Sequence, residues 1–228
     1  MCSNLEPGSM KKLFEKLGFG WVLNAAEETE PLSLSDLDAV PLLGRFDSGF
    51  ALADYSVVQG AERQRTRVGA LLHKFKYEGN RSAGLILADA ACDFISAHAS
   101  FRSSDVMLTV PPSFKSRSLD PVTLVAERIE ERTQIPWERD ALRRTRLAGP
   151  QKDIRHRYLK KLNVLRAFRL AKPESLIGKK VLLIDDIFDS GATLDEISDT
   201  LRQGKVTEIK VLVLARTQFS MGMGFLNR

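Results

Sequence analysis

The chain is poor in cysteine, in aromatic residues and in long apolar runs, and each shortage closes off a class of protein. Cys2 and Cys92 are its two cysteines in 228 residues, with no Cys-x-x-Cys and no Cys/His cluster at metal-ligand spacing. That excludes a disulfide-stapled scaffold and an ordinary structural zinc site, and it fits a reduced, cytoplasmic setting. No apolar run approaches the roughly 18–20 residues that a spanning helix needs. Leu17–Ala26 follows Lys11 and Lys12, but Glu15 breaks the basic stretch and Asn24 the apolar one. A folded amphipathic N-terminal helix is expected there rather than a secretory signal. Aromatics make up 7%, and Trp21 and Trp137 are single aromatics without basic interleaving, which reads as packing and gives weak support to a base-stacking platform. Internal repeats and low-complexity tracts are absent.

What is present suffices for a full core: 43% of the residues are hydrophobic. The net charge is only +5, but it is unevenly spread. Residues 1–60 hold nine Asp/Glu against four Lys/Arg, whereas residues 139–172 hold twelve Lys/Arg against Asp140 and Asp153. The second segment is a positive field suited to phosphates, either of a small molecule or of a nucleic-acid backbone.

Residues 1–48, punctuated by Pro7, Gly8, Pro31, Pro41 and Gly44, read as irregular chain with short helices at Met10–Leu17 and Leu34–Ala39. Phe50–Val58 reads as a strand. The 3/4 spacing of Val68, Leu71, Leu72 and Phe75 predicts a helix over Arg63–Tyr77, and Ser82–His98 predicts a second. An α/β alternation follows: strand Asp105–Val110 stopped by Pro111-Pro112, helix Pro121–Thr133, strand Asp140–Thr145, a long polar stretch and its return at Ala167–Leu170. Strand Lys180–Ile184, helix Ala192–Arg202 and strand Glu208–Ala215 close the chain. Strands this uniformly apolar suit a mostly parallel sheet flanked by helices, which places ligands beyond the C-terminal ends of its strands. The expected division is an N-terminal hood over 1–60, a core over 61–218 and a tail over 219–228.

The stretch VLLIDDIFDSGAT, Val181–Thr193, concentrates the chemistry. Asp185 and Asp186 fall at the C-terminal edge of an apolar strand, where two neighbouring carboxylates repel unless a cation or hydroxyl donors are at hand. A sugar diol with Mg²⁺ supplies both. Asp189, Ser190, Gly191, Ala192 and Thr193 then form a turn opening a helix, with hydroxyl donors, a glycine that permits close backbone approach, and free N–H groups that attract an anion. Diol beside phosphate describes a ribose 5-phosphate. Ordinary helix capping by Asp189 or Ser190 is the competing reading.

This stretch resembles the phosphoribosyl pyrophosphate motif of type I phosphoribosyltransferases: four aliphatics, two acids, two apolar residues, then a Gly-containing loop of Asp, Ser and Thr. Phe188 departs mildly, since an aliphatic is usual there. From Leu71 to Arg216 the order of elements is similar to the ComF-type, competence-associated phosphoribosyltransferases: LLHKFKYEGNRSAG, VPPSFKSRSLDPVTLVAERI, TRLAGPQKDIRHRYLKKLNVLRAFRL, the acid motif and VLVLAR. Arg117-Ser118-Leu119-Asp120 stands where that family commonly has Arg-Gly-Phe-Asn/Asp. Gln151, Arg157, Asn163 and Ala167-Phe168 match its third block. The four-cysteine zinc module that family members often carry at the N-terminus has no counterpart here.

The resemblance implies a phosphoribosyltransferase that binds phosphoribosyl pyrophosphate and Mg²⁺. Asp185 and Asp186 would hold the ribose diol and, partly through its hydroxyls, the metal. Asp189–Thr193 would hold the 5-phosphate, with Asp189 the general base. Ser113, Lys115 and Arg117 in the Pro-restricted loop PPSFKSR would meet the pyrophosphate. Lys152, Arg155 and Arg157 lie where the class has a mobile loop that closes over the departing pyrophosphate. His156 reads as incidental rather than a proton shuttle, His73 as packed or capping, and Lys74, Lys76 and Tyr77 as part of a lid over the acceptor. Solvated surface cations are the competing reading for the two loops. The resemblance also implies a setting in the handling of incoming or damaged DNA and, by analogy, a homodimer. A second class stays open: a non-catalytic sensor of the ribose phosphate that uses residues 139–172 on single-stranded nucleic acid.

Overall fold

The structure is a computed structural model that describes residues 30–60, 62–112, 121–145 and 166–218. Its strands are β1 (Val40–Pro41), β2 (Ser48–Asp54), β3 (Ser56–Gln59), β4 (Glu62–Arg65), β5 (Val106–Thr109), β6 (Leu142–Arg144), β7 (Phe168–Leu170), β8 (Lys180–Phe188) and β9 (Glu208–Arg216). Its helices are α1 (Arg67–Glu78), α2 (Arg81–Ala97), α3 (Ala99–Arg102), α4 (Pro121–Thr133) and α5 (Ala192–Gln203), with short 3₁₀ turns at Leu34–Asp36 and Pro173–Leu176.

Five strands form one sheet in the order β1-β2-β9-β8-β5, in which β2, β9, β8 and β5 run parallel and β1 is an antiparallel edge. The alternation of side chains along β8 and β9 decides what lies on each face. Leu182, Ile184, Leu212 and Leu214 point into a core shared with α1, α2 and α4. Val181, Leu183, Ile209, Val211 and Val213 point into a second core under α5 and the β6–β7 ribbon. Covering both faces is what makes a continuous aliphatic run stable in a strand, each such side chain contributing about 1.5–3 kcal/mol on burial. Lys210 is the exception: it is fully buried in β9, with Nζ 3.1 Å from Glu208 Oε2.

Most expected elements appear within a residue or two, and the mostly parallel helix-flanked sheet is as expected. Three differ. The strand expected over Phe50–Val58 breaks at Tyr55, because β2 ends in the sheet and β3 turns out to pair with β4 as a separate hairpin. The helix expected from Arg63 starts at Arg67, since Glu62–Arg65 is the hairpin's return strand and all four of its residues are exposed. The strand expected to stop at Ile184 keeps its pairing to β9 through Phe188. Two strands of the sheet come from residues 1–60, so the sheet begins ahead of residue 61. The expected Met10–Leu17 helix, Trp21, Cys2 and the 219–228 tail lie outside the described residues.

Helix α1 is fixed tightly at its start. Thr66 Oγ1 accepts from Gly69 N at 3.0 Å, a side-chain N-cap, and the same hydroxyl donates to the Asp54 carbonyl at the end of β2. A Cβ on Gly69 would fall 1.9 Å from the Tyr55 carbonyl oxygen, so the helix lies against backbone that cannot yield. Helices α2 and α4 are clamped by Asp89, which accepts from Arg128 Nε at 2.8 Å and Arg132 Nη1 at 3.0 Å. Beside the clamp, Cys92 is buried, and burial pushes its thiol up to about 12, which makes it inert as a nucleophile at neutral pH.

Two outcomes follow for stability. Gly69→Ala destabilises by about 1–3 kcal/mol, seen as a lower denaturant midpoint with an unchanged slope. Burial alone would raise the Asp89 carboxyl, but the hydrogen bonds and charges of Arg128 and Arg132 bring it below its ordinary value. A depressed carboxyl stabilises the folded state above its unfolded pKa and loses that contribution as pH falls through the folded value. Asp89→Asn is therefore modestly less stable than the parent at pH 7, the clamp being partly solvent-exposed, and the difference closes below about pH 4. Thermal melts across pH 3–7 read it.

Candidate functional site

The site lies where the sheet's aliphatic core ends. Asp185 and Asp186 follow Ile184 in β8 and are partly buried, still paired to β9 through Asp185 opposite Val213. Because they are adjacent in a strand, their side chains leave opposite faces. Each meets a different protein cation. Asp186 Oδ2 is ion-paired with Lys76 Nζ from the last turn of α1, and both side chains are largely withdrawn from water, at 14% and 19% exposure. Asp185 Oδ1 accepts from the Asp186 backbone N–H at 2.8 Å and lies in the field of Arg144.

Arg144 is held in β6 opposite Phe168, with its guanidinium carbon 4.5 Å from the Phe168 ring centre and Nη2 3.3 Å from the Pro111 carbonyl oxygen. Its Nε and Nη1 are buried without a hydrogen-bond partner among the described residues. Burial pushes this guanidinium below its ordinary value and the Asp185 charge opposes that push. Arg144 thus stands at the root of the long segment between β6 and β7 and beside the start of the loop after β5.

After Phe188 the chain turns into α5. The N-cap position is Gly191, at φ 78°, a residue with no side chain to cap the helix. Ser190 is buried, and Asp189 Oδ1 accepts from Thr217 Oγ1 at 3.1 Å, which ties the turn to the end of β9. Phe188 fills the space beneath the turn: a Cβ on Gly191 would lie 2.9 Å from Phe188 Cζ. This gives the mild departure at Phe188 a packing role. A network at the end of β2 completes the rim, with Asp54 accepting from Arg216 Nε at 2.8 Å and Gln218 Nε2 at 2.7 Å.

Of the expected site residues, the structure brings Asp185, Asp186, Asp189, Ser190, Gly191, Ala192 and Thr193 together at this sheet edge. Ser113, Lys115, Arg117, Lys152, Arg155, Arg157 and His156 lie outside the described residues. His73 pairs with Glu78 at 3.3 Å. Lys76, expected in a lid over the acceptor, instead reaches the acid pair. Arg144 and the Asp54–Arg216 pair were not anticipated. A strand-end position was the available signal for both, but it does not name the partner. Trp137 packs against the core as expected, under the Arg139 guanidinium at 4.1 Å.

Within the basic segment, Arg139 also pairs with Glu127 and Glu130, and Arg143 with Asp140. Part of the positive field is therefore spent on the protein itself. Among the described residues no cluster of three or more His, Cys, Asp or Glu could hold a metal ion. Two partly buried carboxylates, of which Asp186 is ion-paired, fit hydroxyl donors. No helix among the described residues is long and apolar enough to cross a membrane.

An acid pair thus stands at the end of a central parallel strand and is followed by a glycine-opened helix. Residues 118–219 match the phosphoribosyl transferase domain family, and the mostly parallel sheet flanked by helices is a phosphoribosyltransferase-like α/β fold. Its relatives include the DNA utilization protein YhgH of Escherichia coli K12, 29% identical over 101 residues, covering 44% of this chain and 43% of the relative. The YhgH protein of Shigella flexneri matches to the same extent. The chain thus spans less than half the length of the curated relatives it matches. Among solved structures, an allosteric regulatory enzyme of purine biosynthesis overlaps at 23% identity and a TM-score of 0.39, covering 57% of this chain and 26% of that one. The glutamine phosphoribosylpyrophosphate amidotransferase of B. subtilis overlaps at 22% and 0.37, covering 66% and 28%.

Gly191→Ala is expected to destabilise by about 1 kcal/mol or somewhat more, because a side chain at that positive φ is strained and meets Phe188. Thermal denaturation of the unliganded protein reads it.

Proposed function

We propose that the chain binds phosphoribosyl pyrophosphate and transfers its phosphoribosyl group, with inversion at the anomeric carbon, to an acceptor nucleophile. The observation that carries this reading is the acid pair at the end of β8 running directly into the glycine-opened start of α5. Carboxylates accept from the 2- and 3-hydroxyls of the ribose. The backbone N–H groups and hydroxyls of Ser190–Thr193 take the 5-phosphate, favoured by the positive end of the helix. Asp189, fixed through Thr217, is the general base that takes the acceptor's proton.

Ser113, Lys115 and Arg117 contact the pyrophosphate, and Lys152, Arg155 and Arg157 close over it. As the bond from the anomeric carbon to the pyrophosphate oxygen breaks, negative charge gathers on the leaving group, where these cations stabilise it and closure excludes water. Mg²⁺, when bound, adds positive charge to the pyrophosphate oxygens. Asp185 and Asp186 are the residues that would hold it, through the ribose hydroxyls.

The relatives' name, DNA utilization protein, supports a setting in DNA handling for this chain too. A homodimer is proposed by family analogy alone. The sensing alternative shares the same ligand site and differs in turnover. No described residue favours the single-strand nucleic-acid role over transfer.

Pyrophosphate release from phosphoribosyl pyrophosphate, followed across a panel of bases, amines and oligonucleotides, tests transfer. Release that requires one acceptor class supports it, and tight binding with no release for any acceptor replaces it with the sensor. Asp185→Asn combined with Asp186→Asn weakens phosphoribosyl pyrophosphate binding by about two orders of magnitude while the fold survives, read by calorimetry and circular dichroism. Unchanged affinity would refute the site.

A further inference from the structure

We propose that Lys76 is a positioning residue that serves as the acid pair's resident counter-cation: it neutralises Asp186, so that sugar hydroxyls bind the pair without a metal held on that carboxylate. The inference rests on the sugar-binding reading above and goes beyond it, because it concerns what balances the charge.

Two adjacent carboxylates withdrawn from water need compensation. Here the protein supplies it twice over. Lys76 is ion-paired with Asp186 inside the site, and Arg144, whose Nε and Nη1 are buried with no acceptor among the described residues, adds a second positive charge that acts on Asp185. Among the described residues, the two acids of the pair are matched by two cations. A divalent ion seated on Asp186 would have to displace Lys76.

Lys76 is well held for this role. Helix α1 is capped by Thr66 onto the Asp54 carbonyl and packed through Gly69 against Tyr55. Its last turn carries Lys76 as the basic residue before the Gly79 cap, where the helix's negative end favours a cation. The ammonium is a compact charge whose three donors can serve a carboxylate and a nearby hydroxyl together.

The test uses the full-length chain and two probes. Ribose 5-phosphate carries the diol and the phosphate but no pyrophosphate to chelate metal, and its binding is measured by calorimetry in EDTA and in excess Mg²⁺. The parent binds equally in both. Lys76→Met binds roughly ten-fold more weakly or worse in EDTA and recovers with Mg²⁺, while Lys76→Arg retains metal-independent binding. Mn²⁺, followed by electron paramagnetic resonance without sugar, binds at the pair in Lys76→Met and not in the parent, and Asp186→Asn added to Lys76→Met removes that site. A parent that needs Mg²⁺ for ribose 5-phosphate, or a Lys76→Met protein that binds sugar in EDTA as the parent does, overturns the inference. If neither protein binds ribose 5-phosphate, the sugar reading fails, and the Mn²⁺ titration alone decides the role of Lys76: a Mn²⁺ site gained in Lys76→Met supports it and an identical titration removes it. Should Lys76→Met not fold, Lys76→Gln replaces it in both arms.

Discussion

The structure depends on one constraint: β8 is aliphatic on both faces for four residues and then abruptly acidic. Val181–Ile184 must be covered from both sides, which draws α1, α2 and α4 to one face and α5 with the β6–β7 ribbon to the other. The same strand cannot stay covered once it reaches Asp185 and Asp186. Coverage thins there to partial burial, and the polar residues of β2, β9 and the turn before α5 collect around the acids. The core and the site are the two ends of a single strand, and the pairing of β8 with β9 continues through the acids to Phe188, so the carboxylates sit on rigid backbone rather than on a loop.

Charge follows from that placement. Acids at the end of a covered strand are partly desolvated whether or not a ligand is bound, and the neighbouring elements answer with Lys76 on one side and Arg144 on the other. The basic character of residues 139–172 looks different in this light. Arg144 turns inward to the acids, Arg139 and Arg143 are engaged with acidic neighbours, and the net positive field of the sequence is smaller where the structure describes it than the composition suggests.

How much of this could be read beforehand depended on where the signal resided. Strands β5, β8 and β9 and helix α4 were legible because buried faces force unbroken aliphatic runs or a 3/4 apolar stripe, both visible in a short window. The β3–β4 hairpin was not, because Glu62–Arg65 is exposed on both sides and carries no alternation, and Arg63–Arg65 extend a helical pattern as naturally as a strand. The acid pair and its turn were legible as a local motif. Its counter-cations were not: Lys76 is 110 residues from Asp186, and Asp54 is 162 from Arg216. Contacts of that span are made by the topology of the sheet, which brings the ends of β2, β9 and β8 side by side, and nothing in either local sequence names the other.

The central claim is that the end of β8 and the start of α5 together hold a phosphorylated ribose. A crystal structure of the protein with ribose 5-phosphate tests it most directly. The account predicts the sugar hydroxyls within hydrogen-bond distance of the Asp185 or Asp186 carboxylates and the phosphate on the backbone N–H groups between Ser190 and Thr193. A ligand seated elsewhere, or density at this edge with the phosphate turned away from α5, would contradict it.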